Sequence, residues 1–222
     1  MKIFLLLSIL FVITECSFDS EINKDIINSF SEEELFYFYQ LAFEREFQST
    51  NHKLCLWTRN VSMELIGEHT CEDSAEVARI KTELNELIDP IELNIVKNNG
   101  NLKIYYVDHN YFNSLFPITL NTRGYFAVKW NRFFPRGIIF VDKNQSLLKR
   151  RHIVREEITQ ALGLMNDSQL YKKSVFYQGN SNITEYTEID KQMIRLLYNY
   201  KLPYYYHAYN FRNNYIVLKK NN

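Results

Sequence analysis

Residues 152–167 read His-Ile-Val-Arg-Glu-Glu-Ile-Thr-Gln-Ala-Leu-Gly-Leu-Met-Asn-Asp, and the reading of this stretch decides the fold. Glu156, Glu157 and Gln160 are good helix formers, and Gly163 suits the position just past a helix end. The helix starts near Leu147 and runs to about Leu164. His152, Glu156 and Gln160 recur every four residues, so they form one polar stripe, in which His152 and Glu156 suit either a hydrogen bond or ion pair or, as a rival, a metal pair. Lys149, Arg150, Arg151 and Arg155 form a basic cluster near the helix entry, read as a solvated face.

Upstream, Tyr125–Trp130 and Gly137–Asp142 read as strands. Before them, Asn98-Asn99-Gly100-Asn101 is a turn between Ile91–Val96 and Leu102–Val107, which predicts a hairpin or two neighbouring strands. Val61–Ile66 alternates apolar and polar residues as a half-buried strand does. Two helices are expected earlier in the chain. One is capped by Ser31 with Glu34 in the capping-box position and runs to about Phe47. The other covers 73–88, with Val77, Ile80, Leu84, Leu87 and Ile88 at intervals of three and four. A C-terminal helix is expected over Glu188–Tyr198. The order predicts a single α+β domain with a mixed twisted sheet, over residues 18–222, with an N-terminal helical segment.

The 222 residues carry 26 Lys and Arg against 26 Asp and Glu, so the chain lacks the basic excess of a dedicated nucleic-acid binder. Lys2, the apolar run from Ile3 to Ile13 and the small residues near Cys16 and Ser17 predict a signal peptide over residues 1–17 and export to the envelope or beyond. The run is too short to span a bilayer of about 30 Å. Acylation of Cys16 would give a lipoprotein and the only expected membrane contact, with Glu15 standing against it. Cys55 and Cys71 remain as an even pair, which in an exported chain predicts one disulfide. His52, His69, His109 and His207 have no partner at ligand spacing. No phosphate-binding loop, dinucleotide turn or nucleophile elbow is present.

From Glu156 to Asn166 the sequence resembles the extended motif of the metzincins, H-E-x-x-H-x-x-G-x-x-H, especially its matrixin-like branch. The general-base position is kept as Glu157 and the glycine as Gly163. The three histidine positions hold Glu156, Gln160 and Asn166. Ser174-Val175-Phe176-Tyr177 resembles the Met-turn segment, with Phe176 in the Met position, and 187–198 resembles the closing helix of a matrixin. Residues 30–200 are also similar to an uncharacterised family of secreted bacterial proteins and predicted lipoproteins that share the Glu-Glu-x-Thr-Gln-x-Leu-Gly-Leu-x-Asn-Asp helix, a Trp before the first strand (Trp57) and an Asp-x-x-x-Ile-Arg-Leu-Leu-Tyr helix. The resemblance implies a zincin-like fold and carries no activity with it.

A catalytic zinc takes about three His, Cys or carboxylate ligands and keeps a position open for water. Amide oxygens at Gln160 and Asn166 are poor donors, so neither metal nor other cofactor is expected. The expected function is non-catalytic binding of an unidentified peptide or protein in the former cleft, where an extended segment adds to the 138–141 strand. His152, Asp167, Phe176 and Tyr177 are its adjacent candidates. The alternative is a hydrolase of altered chemistry with Glu157 as general base, acting with or without a non-zinc metal. Glu156 and Glu157 diverge by about 100° on the helix, which disfavours a carboxylate pair acting together. A third reading is a structural, envelope-associated domain.

Overall fold

The computed structural model describes residues 29–44, 53–115, 123–179, 181–199 and 202–220. The expected signal peptide, with Cys16, and His52 lie outside the described residues. Among the described residues no helix is long and apolar enough to cross a membrane.

Helix α1 (Glu32–Phe43) starts as its sequence dictates. The Ser31 hydroxyl accepts from the Glu34 amide at 3.2 Å, and the Glu34 carboxylate accepts from the Ser31 amide at 2.7 Å. Strand β1 (Val61–Gly67) leads into α2 (Cys71–Asn85), which begins two residues earlier than periodicity predicts. The cause is a second capping box, in which Thr70 caps the Asp73 amide and Asp73 accepts from the Thr70 amide at 2.9 Å. Next come β2 (Leu93–Ile95), β3 (Leu102–Val107), the short α3 (His109–Leu115), β4 (Gly124–Lys129) and β5 (Arg136–Asp142). The chain continues through α4 (Leu147–Ala161), α5 (Glu188–Tyr198) and α6 (Ala208–Lys220). The expected α+β arrangement, a mixed sheet followed by the motif helix and a closing helix, is the one observed.

The sheet order is β2-β1-β3-β5-β4, with β4 antiparallel to β5 and every other pairing parallel. Two expectations are corrected here. β2 and β3 are neither a hairpin nor neighbours, because β1 lies between them. The 96–101 segment crosses the face of β1, where a Cβ on Gly100 would sit 2.6 Å from Glu64 Cβ and 2.7 Å from the Ser62 carbonyl oxygen. Asn101 fixes the crossing by accepting from the Ser62 amide at 2.7 Å and donating to the Asn60 carbonyl at 3.0 Å. The second correction concerns 138–141, which belongs to an internal strand with both edges paired, so no peptide can add to it. β4 is the edge.

One sheet face, built from Val61, Met63, Leu102, Ile104, Tyr106, Ile139 and Val141, is buried under α2 and α4. The opposite face is covered at β3 and β5 by α3, whose Phe112 stacks on Phe140 at 4.5 Å between centroids. Beyond α4, helices α1, α5 and α6 continue the same core, with Phe211 against Phe38 and Phe43 at 5.4 and 5.2 Å.

Trp57 ties the halves together. Its indole N–H donates to the Ala161 carbonyl at 2.8 Å, and the Tyr198 hydroxyl donates to the Leu162 carbonyl at 2.8 Å, so two exposed-ended carbonyls of α4 are satisfied by buried side chains. Burying an indole of this size removes about 150–250 Å² from water, worth about 4–6 kcal/mol.

The expected disulfide is a third correction. Cys55 and Cys71 are not joined. The Cys55 thiol is buried before β1 and donates to the Lys53 carbonyl at 3.5 Å, whereas Cys71 is exposed at the start of α2. The seven residues of β1 lie between them. That strand is about 20 Å long, and a disulfide needs Cα atoms within about 7 Å. Even parity carried no information on separation.

Candidate functional site

Helix α4 is capped by Ser146, whose hydroxyl accepts from the Lys149 amide at 3.3 Å. Each polar position of the motif leaves the helix toward a different neighbour. His152 is buried, its Nδ1 lies 2.8 Å from the Ile183 carbonyl oxygen, and its Nε2 lies 3.4 Å from a Glu156 carboxylate oxygen. Burial pushes the imidazole down to about 4, with the Ile183 hydrogen bond opposing and the Lys149 charge reinforcing. His152 and Glu156 are therefore in the hydrogen-bond or ion-pair geometry, one helical turn apart.

Gln160 is buried one turn further on, and its amide N–H donates to an Asp167 carboxylate oxygen at 2.6 Å. Gly163 makes that contact possible. Its φ of 132° reverses the chain, and a Cβ there would sit 2.2 Å from the Cys55 carbonyl oxygen. Asn166 points away from the stripe, toward α1. Its side-chain amide donates to the Gln40 carbonyl at 3.3 Å, and its backbone amide donates to the Leu41 carbonyl at 3.2 Å.

Glu157 faces the sheet. It is buried beneath the start of β4, where a Cβ on Gly124 would come within 2.5 Å of its carboxylate and of Ile153. Burial raises the neighbouring Tyr125 phenol, and the Glu157 carboxylate adds to the shift. Glu156 and Glu157 thus diverge as their helical spacing requires.

Phe176 is fully buried and Tyr177 half-buried. The Ser168 amide donates to the Phe176 carbonyl at 2.9 Å, and the Gln178 amide donates to the Ser168 carbonyl at 3.0 Å. These bonds dock the 174–178 segment on the residues following Asp167. Below it, Ser174 donates to Asp190 at 2.5 Å and meets the Tyr37 hydroxyl at 2.7 Å. Burial raises the Asp190 carboxyl against four hydrogen bonds that lower it. The structure thus gathers His152, Glu156, Gln160 and Asp167 along one line, and sends Glu157 and Asn166 elsewhere.

The basic cluster expected on a solvated face is corrected in most of its members. Arg155 is fully buried, 3.0 Å from Glu76, paired also with Glu83, and centred 4.4 Å over the Tyr186 ring. Tyr186 in turn meets the Thr159 hydroxyl at 2.7 Å. Arg150 pairs with buried Asp73 at 2.9 Å, and Lys149 donates to the Ser181 carbonyl at 2.7 Å. A signal was present in the sequence: Asp73, Glu76 and Glu83 fall on the apolar stripe of α2 with Val77, Ile80 and Leu84, where a carboxylate needs a buried cation.

Residues 32–203 match the family described as "Protein of unknown function (DUF2927)", and the chain belongs to it. No curated protein matches. Among solved structures, "Structure of Myroilysin" is similar at 14% identity over 65% of this chain and 82% of that chain, with a TM-score of 0.41. "Crystal structure of myroilysin" is similar at 12% identity over 72% and 92%, with a TM-score of 0.44.

Proposed function

We propose that this chain is an exported, non-catalytic domain on a zincin-type scaffold that holds an extended peptide along the edge of its sheet. The observation that carries this reading is the Gln160 to Asp167 hydrogen bond, which uses the second histidine position to tie the return segment to α4. A zinc site would need the donors at 156, 160 and 166 to converge. Here Glu156 lies against His152, Gln160 offers an N–H to Asp167, and Asn166 offers an N–H to α1. Among the described residues no three His, Cys, Asp or Glu side chains come together as a ligand set. These residues do not fit a zinc ion.

The edge strand supplies the binding surface. The Asp142 amide donates to the Arg123 carbonyl at 3.0 Å, so in the antiparallel register Tyr125, Ala127 and Lys129 direct their backbone groups at β5. Phe126 and Val128 direct theirs outward, where a peptide strand would pair with them. Amide exchange on the protein with a bound peptide from a random library is the test. Protection confined to the Phe126 and Val128 amides supports the reading. Chelator-sensitive proteolysis that Glu157→Gln abolishes overturns it.

A further inference from the structure

We infer that the β4–β5 turn is a membrane-docking tip that recognises an anionic phospholipid surface. At this turn Phe133 and Phe134 are 59% and 68% exposed. Adjacent exposed phenylalanines with no polar end are costly to leave in water unless something covers them. The turn holds them outward by design of its backbone: the Asn131 side-chain oxygen accepts from the Phe133 amide at 2.8 Å and from the Phe134 amide at 3.1 Å. Trp130 anchors the base, edge-on to buried Trp57 at 6.4 Å.

The surroundings are cationic. Arg59 lies 4.9 Å over the Phe134 ring and Arg132 lies 6.0 Å from that of Phe133, while the Thr58 hydroxyl donates to the Arg132 carbonyl. Lys53 sits 5.6 Å over Tyr205, itself 42% exposed, and Tyr205 is bonded to Leu54. With Lys129 and Arg136 the three segments carry five cations. In a chain of zero net charge, no Asp or Glu occurs between Asp108 and Asp142, between Glu46 and Glu64, or after Asp190. Glu92, whose amide donates to Asn60 at 3.0 Å, is the acid at the base of the patch.

Charge and shape together select a lipid surface. Aromatic side chains inserted to about 5–10 Å with Lys and Arg at headgroup level is how interfacial segments bind anionic bilayers. A second copy of the chain fits poorly, since the two rings offer roughly 250 Å² where a stable interface needs about 800 Å² per partner. This inference is independent of the peptide reading, which concerns the outward groups of β4.

The test uses the full chain with vesicles of phosphatidylcholine, alone or with about one third phosphatidylglycerol, and compares native protein with Phe133→Ser/Phe134→Ser and Arg59→Ser/Arg132→Ser. Reading the ratio to native cancels what residues 3–13 contribute. On anionic vesicles the aromatic pair should lower partitioning at least tenfold. The arginine pair should lower it about 25-fold, roughly fivefold per cation, with the difference shrinking as salt rises and absent on neutral vesicles. The chain has two tryptophans, Trp57 and Trp130, both at this end. Quenching of their fluorescence by brominated lipid therefore reports docking of this face even where residues 3–13 hold the chain to the vesicle, and should vanish in the aromatic variant. Unchanged melting temperatures show that the variants fold. Ratios near one with quenching retained overturn the inference. So does a loss confined to binding of single-stranded oligonucleotide or to self-association, either of which reassigns the patch.

Discussion

Replacing Arg155 with Met tests whether α4 is held as a structural element. The substitution keeps the length and apolar stem of the side chain and removes a guanidinium that is fully buried. Glu76, only 5% exposed, would lose its partner at 3.0 Å, and the Tyr186 ring would lose the cation over its face. Removing one member of a buried ion pair costs about 3–5 kcal/mol, and a desolvated cation–π contact adds about 1–2. Two features reduce the total: Arg79 still reaches Glu76 at 2.9 Å, and the Glu83 side chain is 31% exposed and can rehydrate. The expected loss is about 3 kcal/mol, or a fall of about 6–12 °C in melting temperature for a chain of this size. Urea and thermal unfolding measure it. Arg155→Lys should recover little, because one ammonium cannot serve two carboxylates and a ring. Glu76→Gln in the Met background should recover little, because Arg79 still bonds both Glu76 oxygens at 3.1 and 2.9 Å and that pair would be lost. A loss below about 1 kcal/mol for Arg155→Met would mean that Arg155 faces water and would refute the packing argument.

Two further outcomes follow from the same helix. Gly163→Ala places a Cβ 2.2 Å from the Cys55 carbonyl oxygen at a φ of 132°, so strain and overlap should cost at least about 3 kcal/mol, and calorimetry showing an unchanged melting temperature would contradict this geometry. His152 is held neutral in the fold down to about pH 4 but titrates near 6.5 once unfolded, so the unfolded chain binds more protons between those values and stability should fall as pH drops from about 6.5 to 4. The contribution is at most about 3 kcal/mol, reduced by the Glu156 carboxylate 3.4 Å from Nε2, which favours the imidazolium. His152→Gln should flatten the melting temperature over that range, and a profile as steep as the native one would exclude His152 as its source.

What could be read from the sequence and what could not divides by the range of the interaction. The Ser31 capping box, the apolar spacing of α2 and the turn at Gly163 are local, and each lies within three residues of where its residues placed it. The placement of β2 and β3 on opposite sides of β1 is not local, since alternation specifies a strand but not its neighbours. Helix α3 is only seven residues long, and α6 is rich in Tyr and Asn, so neither shows a clear period. The same division holds at the site. The frame from Glu156 to Asp167 was legible, whereas the partners of Asn166 and Arg155 lie 126 and 79 or fewer residues away in sequence.

Under the proposed reading, the hydrogen bonds around α4 take over a task that a metal performs in a zinc site, which is to fix the return segment against the helix. The exchange is unequal. A structural zinc contributes on the order of 10–16 kcal/mol, whereas a hydrogen bond to a carboxylate such as Gln160 to Asp167 contributes about 1.5–3 kcal/mol net. The remaining stability must come from contacts that need no metal, and the structure places several on the same helix. Arg155 locks α4 to α2, while Trp57 and Tyr198 close its carboxyl end. Asn166 docks the return segment on α1. A helix held on three sides in this way keeps its position without a ligand, and its inner polar side chains serve packing. The surfaces left for recognition are then at the margins of the sheet, along the outer edge of β4 and at the turn that follows it.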